Sequence, residues 1–191
     1  MSAAIHVVDH VLDRPSHQAV AAFIGSLRWT HGAYSSETPG AARYWFNHFA
    51  GVARHSSELD GAAKFEAELL ETAPIIFQMW KTLQQSVLAG HTLVRCYANA
   101  YPFGTEGACH LDSNRPDHFT TIYYPHERWD PDYGGETVFF NEDRSDIIAA
   151  AYPKPNRLVV FCGQIPHVAR GVSRVCPHLR TTLMFKTAKV G

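Results

Sequence analysis

Apolar residues recur at helical spacing in the first half of the chain and in short alternating runs in the second half. Over residues 62–88 they fall at every third or fourth position, as in a helix with one buried face, and Pro74 divides the stretch into two predicted helices. A shorter helix is predicted over residues 17–26, with Asp13 or Ser16 placed to cap it. The first half is therefore predicted to be helical support.

Residues 27–55 fit neither pattern. This segment mixes Gly, Pro and Ser with large aromatic side chains such as Tyr34 and Trp45. It is predicted to be a loop, and a loop with so much apolar surface has to fold over something. We therefore expect it to act as a lid.

Beyond Gly90 the chain changes to short runs rich in Val, Thr, Ile, Phe and Tyr, which are separated by turn residues. Strands are predicted at residues 91–98, 107–111, 118–124, 136–141, 157–162, 166–172 and 179–187. Many short strands with helices on one side indicate an α+β fold, a sandwich or small barrel backed by a helical layer.

The charge balance narrows the class of protein. The 191 residues contain 17 Lys and Arg against 18 Asp and Glu, without a long basic or acidic run, so nucleic acid and membrane surfaces are not expected partners. No apolar stretch reaches the length of about 18 residues that a membrane helix needs, and the first residues lack the signal-peptide pattern. A cytoplasmic monomer or homodimer with one domain over residues 1–191 is predicted, with its four cysteines as free thiols.

One short motif has the chemistry of a metal site. His110 and Asp112 are two residues apart on a predicted strand, so both side chains point to the same face. His167 follows 57 residues later on another predicted strand that could face the first. Two His and one carboxylate with open positions suit non-haem Fe(II). Because about 0.6 His-x-Asp pairs are expected by chance in this composition, the pair alone decides little.

A buried cation would support the metal-site interpretation. Alternation in the last predicted strand puts Arg180, Thr182 and Met184 on one face. If this face points inward, the guanidinium needs an anion, because an unpaired buried charge costs several kcal/mol. A dicarboxylate that chelates the metal would supply it, and the Thr182 hydroxyl could add a hydrogen bond. The alternative is an Arg at a strand end that reaches solvent or pairs with a surface Asp.

The order of motifs over residues 91–187 resembles that of the 2-oxoglutarate and Fe(II)-dependent oxygenases, in their prolyl 4-hydroxylase-like group. The matching segments are, in order, VRCYANAYPFG, HLD, FTTIYYPHERWDPDYGGETVFF, PNRLVVFCGQIPHVARGVSRV and RTTLMF. The resemblance implies a double-stranded β-helix, a jelly-roll barrel like that of the cupins, with residues 1–90 as helical support and lid. It also implies a dioxygenase that uses Fe(II), 2-oxoglutarate and O2, with ascorbate as a candidate reductant.

Carried over by motif, the resemblance makes His110, Asp112 and His167 the catalytic iron ligands. It makes Arg180 the residue that binds the distal carboxylate of 2-oxoglutarate. Arg180 follows His167 by 13 positions, slightly more than is usual in the family, which leaves Arg170 and Arg174 as rivals. Arg180 is preferred because it begins the apolar strand RTTLMF.

Tyrosines complete the expected cosubstrate site. The resemblance places Tyr124 beside the distal carboxylate and Tyr97 at the cosubstrate or substrate pocket, although Tyr101 could take the role of Tyr97. The Gly134–Glu136 turn is a family hallmark that we interpret as structural, since Gly allows the positive φ values of a tight turn.

The substrate is expected to be a small molecule. Arg115 beside the metal motif could hold a carboxylate of an amino-acid-like or other polar metabolite. Asn114, Trp129 and Tyr133 are further pocket candidates, together with Tyr101 and the predicted lid residues His31, Tyr34 and Trp45. Each has the alternative of an ordinary surface or packing role.

Three other functions stay open. The nearest is a peptidyl (prolyl) hydroxylase acting on a protein, which an open groove beside the iron would indicate. A nucleic-acid repair oxygenase is disfavoured by the balanced charge and the lack of a basic, aromatic-rich segment. A non-redox, cupin-like metal-binding protein would leave an inward-pointing Arg180 unexplained.

Overall fold

Two antiparallel sheets form the centre of the computed structural model, which describes residues 5–35, 42–51 and 62–189. The helices are α1 (Arg14–Gly25), α2 (Ala62–Thr72) and α3 (Pro74–Gln84). The strands are β1 (His6–Asp9), β2 (Thr30–Ala33), β3 (Tyr44–Ala50), β4 (His91–Tyr101), β5 (His118–Tyr123), β6 (Thr137–Phe140), β7 (Ile147–Ala151), β8 (Arg157–Cys162), β9 (His167–Ala169) and β10 (Arg180–Lys189). A 3-10 turn lies at Pro131–Tyr133.

The larger sheet has seven strands in the order β1-β8-β5-β10-β4-β3-β2, and the smaller has three in the order β7-β6-β9. All the helices belong to the first half of the chain, and their apolar residues share one core cluster with β4, β5, β8 and β10. This is the predicted α+β fold, a double-stranded β-helix backed by N-terminal helices.

The alternation of β4 and β10, which one irregularity between Lys186 and Thr187 interrupts, separates the helical core from the space between the sheets. Cys96, Leu183 and Phe185 point to the helices, where Phe185 stacks on Trp80 of α3 with 5.7 Å between ring centroids. The intervening residues of both strands line cavities on the opposite face. A strand with one apolar face and one functional face results from its period of two residues.

The helix predictions are confirmed, with shifted ends. The helix expected over residues 17–26 is α1, and it begins earlier because Asp13 caps it by accepting a hydrogen bond from the Ser16 backbone N–H at 2.8 Å. Pro74 separates α2 from α3 as predicted. No helix in the described ranges is long and apolar enough to cross a membrane.

Two strand predictions need correction. Residues 107–111 do not form a regular strand, because they touch β9 only through spaced bonds such as Gly107 N–H to Ala169 O and the bridge between His110 and His167. The predicted strand 166–172 is only three residues long in the structure. By contrast, β8 has the predicted bounds, and Ile147–Ala151 is a strand that the pattern did not predict.

The prediction of a loop over residues 27–55 is wrong within the described residues. β2 and β3 lie in this segment and extend the larger sheet, with Trp45 and Phe46 opposite Ala100 and Asn99 of β4. The Gly, Pro and Ser residues that favoured a loop fall largely between the two strands. Residues 36–41 and 52–55 of the segment lie outside the described residues.

The expected division of the chain at residue 90 also changes. The first half supplies three strands of the larger sheet as well as the helices, so support and lid do not describe it fully. A single domain over residues 1–191 stays a prediction. All four cysteines are free thiols in the structure, as expected.

Candidate active site

His110, Asp112 and His167 converge although 57 residues separate the first and the last. Their ligand atoms all lie within 4.8 Å of one another. The Nε2 atom of His110 is 3.4 Å from Asp112 Oδ1, and that of His167 is 3.3 Å from Asp112 Oδ2. At these distances the three side chains can bind one metal ion together.

The tautomers of both imidazoles follow from their backbone contacts. His110 Nδ1 lies 2.8 Å from the Ala108 carbonyl oxygen, and His167 Nδ1 lies 2.9 Å from that of Ile165. A carbonyl oxygen only accepts hydrogen bonds, so each Nδ1 carries the proton and donates it. Each Nε2 is then a lone-pair donor that faces the cluster, as a metal site requires.

Asp112 is held by donors on the far side of the cluster. Thr120 Oγ donates to its Oδ2 at 2.6 Å, and the Lys186 ammonium contacts the same oxygen and donates to Thr120 Oγ at 2.9 Å. Burial raises the pKa of Asp112, but the Lys186 ammonium outweighs it and holds the pKa well below its usual range. Burial lowers the pKa of His167, which favours the neutral imidazole.

Arg180 lies at the other end of the inner face of β10 and is only 1% exposed. Its Nε donates to the Gly135 carbonyl oxygen and its Nη2 donates to Thr137 Oγ at 2.9 Å. No described acid forms an ion pair with it. Gly135 permits this contact, because its φ is +81° and a Cβ there would lie 2.9 Å from Arg180 Cδ.

Two adjoining cavities meet at the three-residue cluster. The smaller is lined by the cluster together with Arg180, Tyr101 and Thr137. The larger, of about 740 Å³, is lined by His110 and Asp112 and reaches Lys186, Arg95 and Arg115. The cluster therefore lies between a small space that ends on a buried cation and a space large enough for a second small molecule.

The sequence of the strand region matches a known protein family. Residues 95–185 match the model of the 2OG-Fe(II) oxygenase superfamily. The chain is similar to the 2-oxoglutarate and Fe(II)-dependent oxygenases over this region. It is accordingly a dioxygenase that uses Fe(II), 2-oxoglutarate and O2.

Solved structures share the fold of this oxygenase at low sequence identity. A Pseudomonas putida prolyl-4-hydroxylase is 20% identical, with a TM-score of 0.62 over 100% of this chain and 95% of that chain. A 2OG-Fe(II) oxygenase family oxidoreductase from Burkholderia pseudomallei is 18% identical, with a TM-score of 0.61 over 99% of this chain and 86% of that one. A Trichoplax adhaerens prolyl hydroxylase, in complex with a hypoxia inducible factor peptide fragment, is 15% identical, with a TM-score of 0.59 over 97% and 83%. No curated protein sequence matches the chain.

The tyrosines predicted for the oxygenase's cosubstrate site occupy different positions. Tyr101 lines the smaller cavity, and the centroid of its ring is 5.5 Å from Arg180 Cζ. Tyr124 is fully buried behind that cavity, where its hydroxyl lies 2.8 Å from Thr137 Oγ. Tyr97 lines both cavities, and Thr182 lines the smaller one. Both of the alternatives weighed from the sequence, Tyr97 and Tyr101, therefore line the smaller cavity.

The predicted substrate residues are only partly brought together. Arg115 lines the larger cavity, but Asp117 already accepts its Nε and Nη2 hydrogen bonds at 3.0 and 2.6 Å. Asn114 is exposed and lines neither cavity. Trp129 is buried outside both cavities, where its Nε1 donates to the Gly134 carbonyl oxygen. A packing role explains Trp129, since its indole N–H already has a partner.

Lys186, Thr120 and Arg95 are pocket residues that the sequence reasoning missed. Lys186 continues the alternation of Arg180, Thr182 and Met184, so the same pattern could have placed it on the inner face. Arg95 lies opposite Lys186 on β4, and this pairing depends on register, which the sequence does not give.

Proposed function

We propose that this oxygenase hydroxylates, or otherwise oxidises, an unactivated C–H bond of a small substrate, either amino-acid-like or a secondary metabolite. For hydroxylation, the substrate C–H bond, 2-oxoglutarate and O2 are converted to the alcohol, succinate and CO2. One oxygen atom enters the alcohol and the other enters succinate. A cytoplasmic monomer or homodimer, with ascorbate as reductant, belongs to the same proposal.

The observation that carries this proposal is the position of the metal cluster between two cavities of different character. One cavity ends on Arg180, a buried cation without an acid partner among the described residues. The other has room for a second molecule and opens directly onto His110 and Asp112. A reaction that joins a dicarboxylate and a second substrate at one ion needs this arrangement.

Each side chain then has a defined task. His110, Asp112 and His167 hold the iron, and Arg180 binds the distal carboxylate of 2-oxoglutarate with its planar pair of donors. Tyr101 and Thr137 border that carboxylate site, while Thr120 and Lys186 orient Asp112. Bound iron, with 2-oxoglutarate and O2, supplies the oxidant that removes a hydrogen atom from the substrate. The protein contributes orientation and excludes water.

A peptidyl hydroxylase is the second candidate. Two of the similar solved structures are described as prolyl hydroxylases, and one of these holds a peptide fragment. At 20% and 15% identity this likeness concerns the fold and not the substrate. We therefore propose a prolyl peptide as the alternative substrate.

Succinate production tests the proposal. Protein reconstituted with Fe(II), ascorbate and 2-oxoglutarate is incubated in air with free amino acids, other small acids or a proline-containing peptide. We expect a small molecule to raise succinate formation and to gain one oxygen atom, and we expect His167→Ala to abolish both. Stimulation by the peptide alone would establish the second candidate. Wild-type protein that forms no succinate, either by itself or with any of these compounds, would contradict the oxygenase chemistry.

A further inference from the structure

Two cations face each other across neighbouring strands in the larger cavity. Lys186 of β10 and Arg95 of β4 are direct partners in the antiparallel register. Both line the cavity, so their side chains project from the same face of the sheet. Directly opposed side chains lie about 5 Å apart at Cβ, where like charges destabilise a sheet. An anion between the two would remove this repulsion.

Arg95 has no counter-charge among the described residues, and Lys186 would share its counter-charge with a bound metal ion. Lys186 contacts Asp112, whose negative charge a divalent ion would share. Arg95 forms no ion pair with any described residue, and its Nε is buried without a hydrogen-bond partner. Its guanidinium stacks on the Tyr97 ring at 4.4 Å, and stacking leaves the in-plane N–H donors available.

The remaining charges of the cavity do not compensate for them. Asp112 is the only acid among the described residues that line this cavity. Arg115, the third cation, is already neutralised by two hydrogen bonds to Asp117. An excess of positive charge is therefore concentrated at Arg95 and Lys186, beside the metal cluster.

We infer that Arg95 and Lys186 form a binding site for a carboxylate of the substrate. This inference rests on the proposed function and narrows it to acids, with Arg95 rather than Arg115 as the main anchor. The guanidinium offers a planar fork that matches a carboxylate, and the ammonium adds a second charged donor. Phe46 and Tyr97 line the same cavity and suit an apolar carbon skeleton.

The proposed carboxylate site lies on the opposite side of the metal cluster from Arg180. Lys186 contacts Asp112 directly, so a carboxylate bound to it lies close to the metal cluster. Arg180 is six residues away on the same strand, or about 20 Å at the rise of a β-strand. The cosubstrate and the substrate are thus anchored by two cations six residues apart on β10, on either side of the metal cluster.

Binding of benzoate and its uncharged analogue benzamide tests the inference without turnover. The protein is loaded with Mn(II) in place of Fe(II) and with saturating 2-oxoglutarate, which occupies the Arg180 site, and binding is measured by calorimetry. We expect benzoate to bind at least about tenfold more tightly than benzamide, as for a hydrogen bond between charged groups. Arg95→Gln should remove this preference, and Arg95→Lys should restore part of it.

Arg115→Gln is the matched variant, since it removes the other arginine of the same cavity. The preference for benzoate should survive it, because Asp117 already occupies that guanidinium. Equal binding of the two compounds, absence of benzoate binding, or a preference that Arg95→Gln leaves intact would overturn the inference. These results leave succinate production by wild-type protein untouched, so they are distinguishable from a failure of the proposed function.

Discussion

The backbones of His110 and His167 exchange two hydrogen bonds, each 3.1 Å long. This isolated bridge fixes the distance between the two imidazoles, whose centroids are 4.5 Å apart. Asp112 and Ser113 both donate their backbone N–H groups to the Gly163 carbonyl oxygen, which fixes the acid in the same frame. The candidate metal ligands are therefore positioned by the backbone before any ion binds, as a preorganised site requires.

Arg180→Gln should weaken binding of 2-oxoglutarate by about 100-fold, because removing one partner of a buried charge pair costs about 2–5 kcal/mol. Calorimetry with Mn(II)-loaded protein measures the dissociation constant. Arg174→Gln is the control, since Arg174 was a rival for the role but is exposed and lines neither cavity. Loss of affinity in the Arg174 variant rather than the Arg180 variant would refute the assignment.

Thr120→Val should lower metal affinity by about tenfold, because it removes the hydrogen bond that orients Asp112. Competition with a chelator measures the effect. Thr121→Val is a matched control, since the Thr121 hydroxyl is buried without a hydrogen-bond partner among the described residues. That change should leave metal affinity unaltered and unfolding free energy equal or higher. Equal metal affinity in the two variants would contradict the role of Thr120.

Gly135→Ala should reduce both stability and affinity for 2-oxoglutarate, since the new Cβ would meet Arg180 Cδ at 2.9 Å. Gly104→Ala separates steric displacement from backbone strain. Gly104 has a similar φ of +77° but has no atom within 4 Å of the added Cβ. It should cost only about 1–2 kcal/mol of unfolding free energy and leave 2-oxoglutarate binding as in wild type. A Gly135 variant with normal cosubstrate affinity would show that Arg180 is not held by this contact.

Asp9→Asn should lower the unfolding free energy by about 1 kcal/mol at neutral pH, since Asp9 joins β1 to β8 through an ion pair that is partly exposed. Hydrogen bonds from Arg157 and then Lys154 lower the pKa of Asp9. A carboxyl with a lowered folded-state pKa stabilises above its unfolded pKa of about 3.9, and this stabilisation disappears as the pH falls through the folded value. The difference between variant and wild type in urea denaturation should therefore shrink below about pH 4, and a difference that stays constant would argue against the ion pair.

The strand that was predicted best is buried on both of its faces. β8 has its predicted bounds because Leu158 and Val160 face the helices while Val159 and Phe161 face the other sheet, which leaves a continuous apolar run. β7 was missed because four of its five residues are exposed or only partly buried, so its two faces do not differ in polarity. β2 and β3 were missed because turn residues between them masked two short paired strands.

The sequence predicted the features of the site that depend on the pattern within a single strand. Period-two alternation put Arg180 and Thr182 on the inner face, and the structure agrees. The partner of Lys186 could not be predicted, since the pairing with Arg95 is set by the register of β4 against β10. Arg115 was preferred as an anion site because the sequence does not reveal that the side chain of Asp117, two residues later, folds back onto it.

The central claim is that His110, Asp112 and His167 hold an iron ion that 2-oxoglutarate chelates. Anaerobic addition of 2-oxoglutarate to the Fe(II)-loaded protein tests it most directly, with the visible absorption spectrum as the readout. We predict a charge-transfer band in wild type that needs more cosubstrate in Arg180→Gln and is lost in His167→Ala. A wild-type protein without the band, or a His167→Ala variant that retains it at full intensity, would contradict the account.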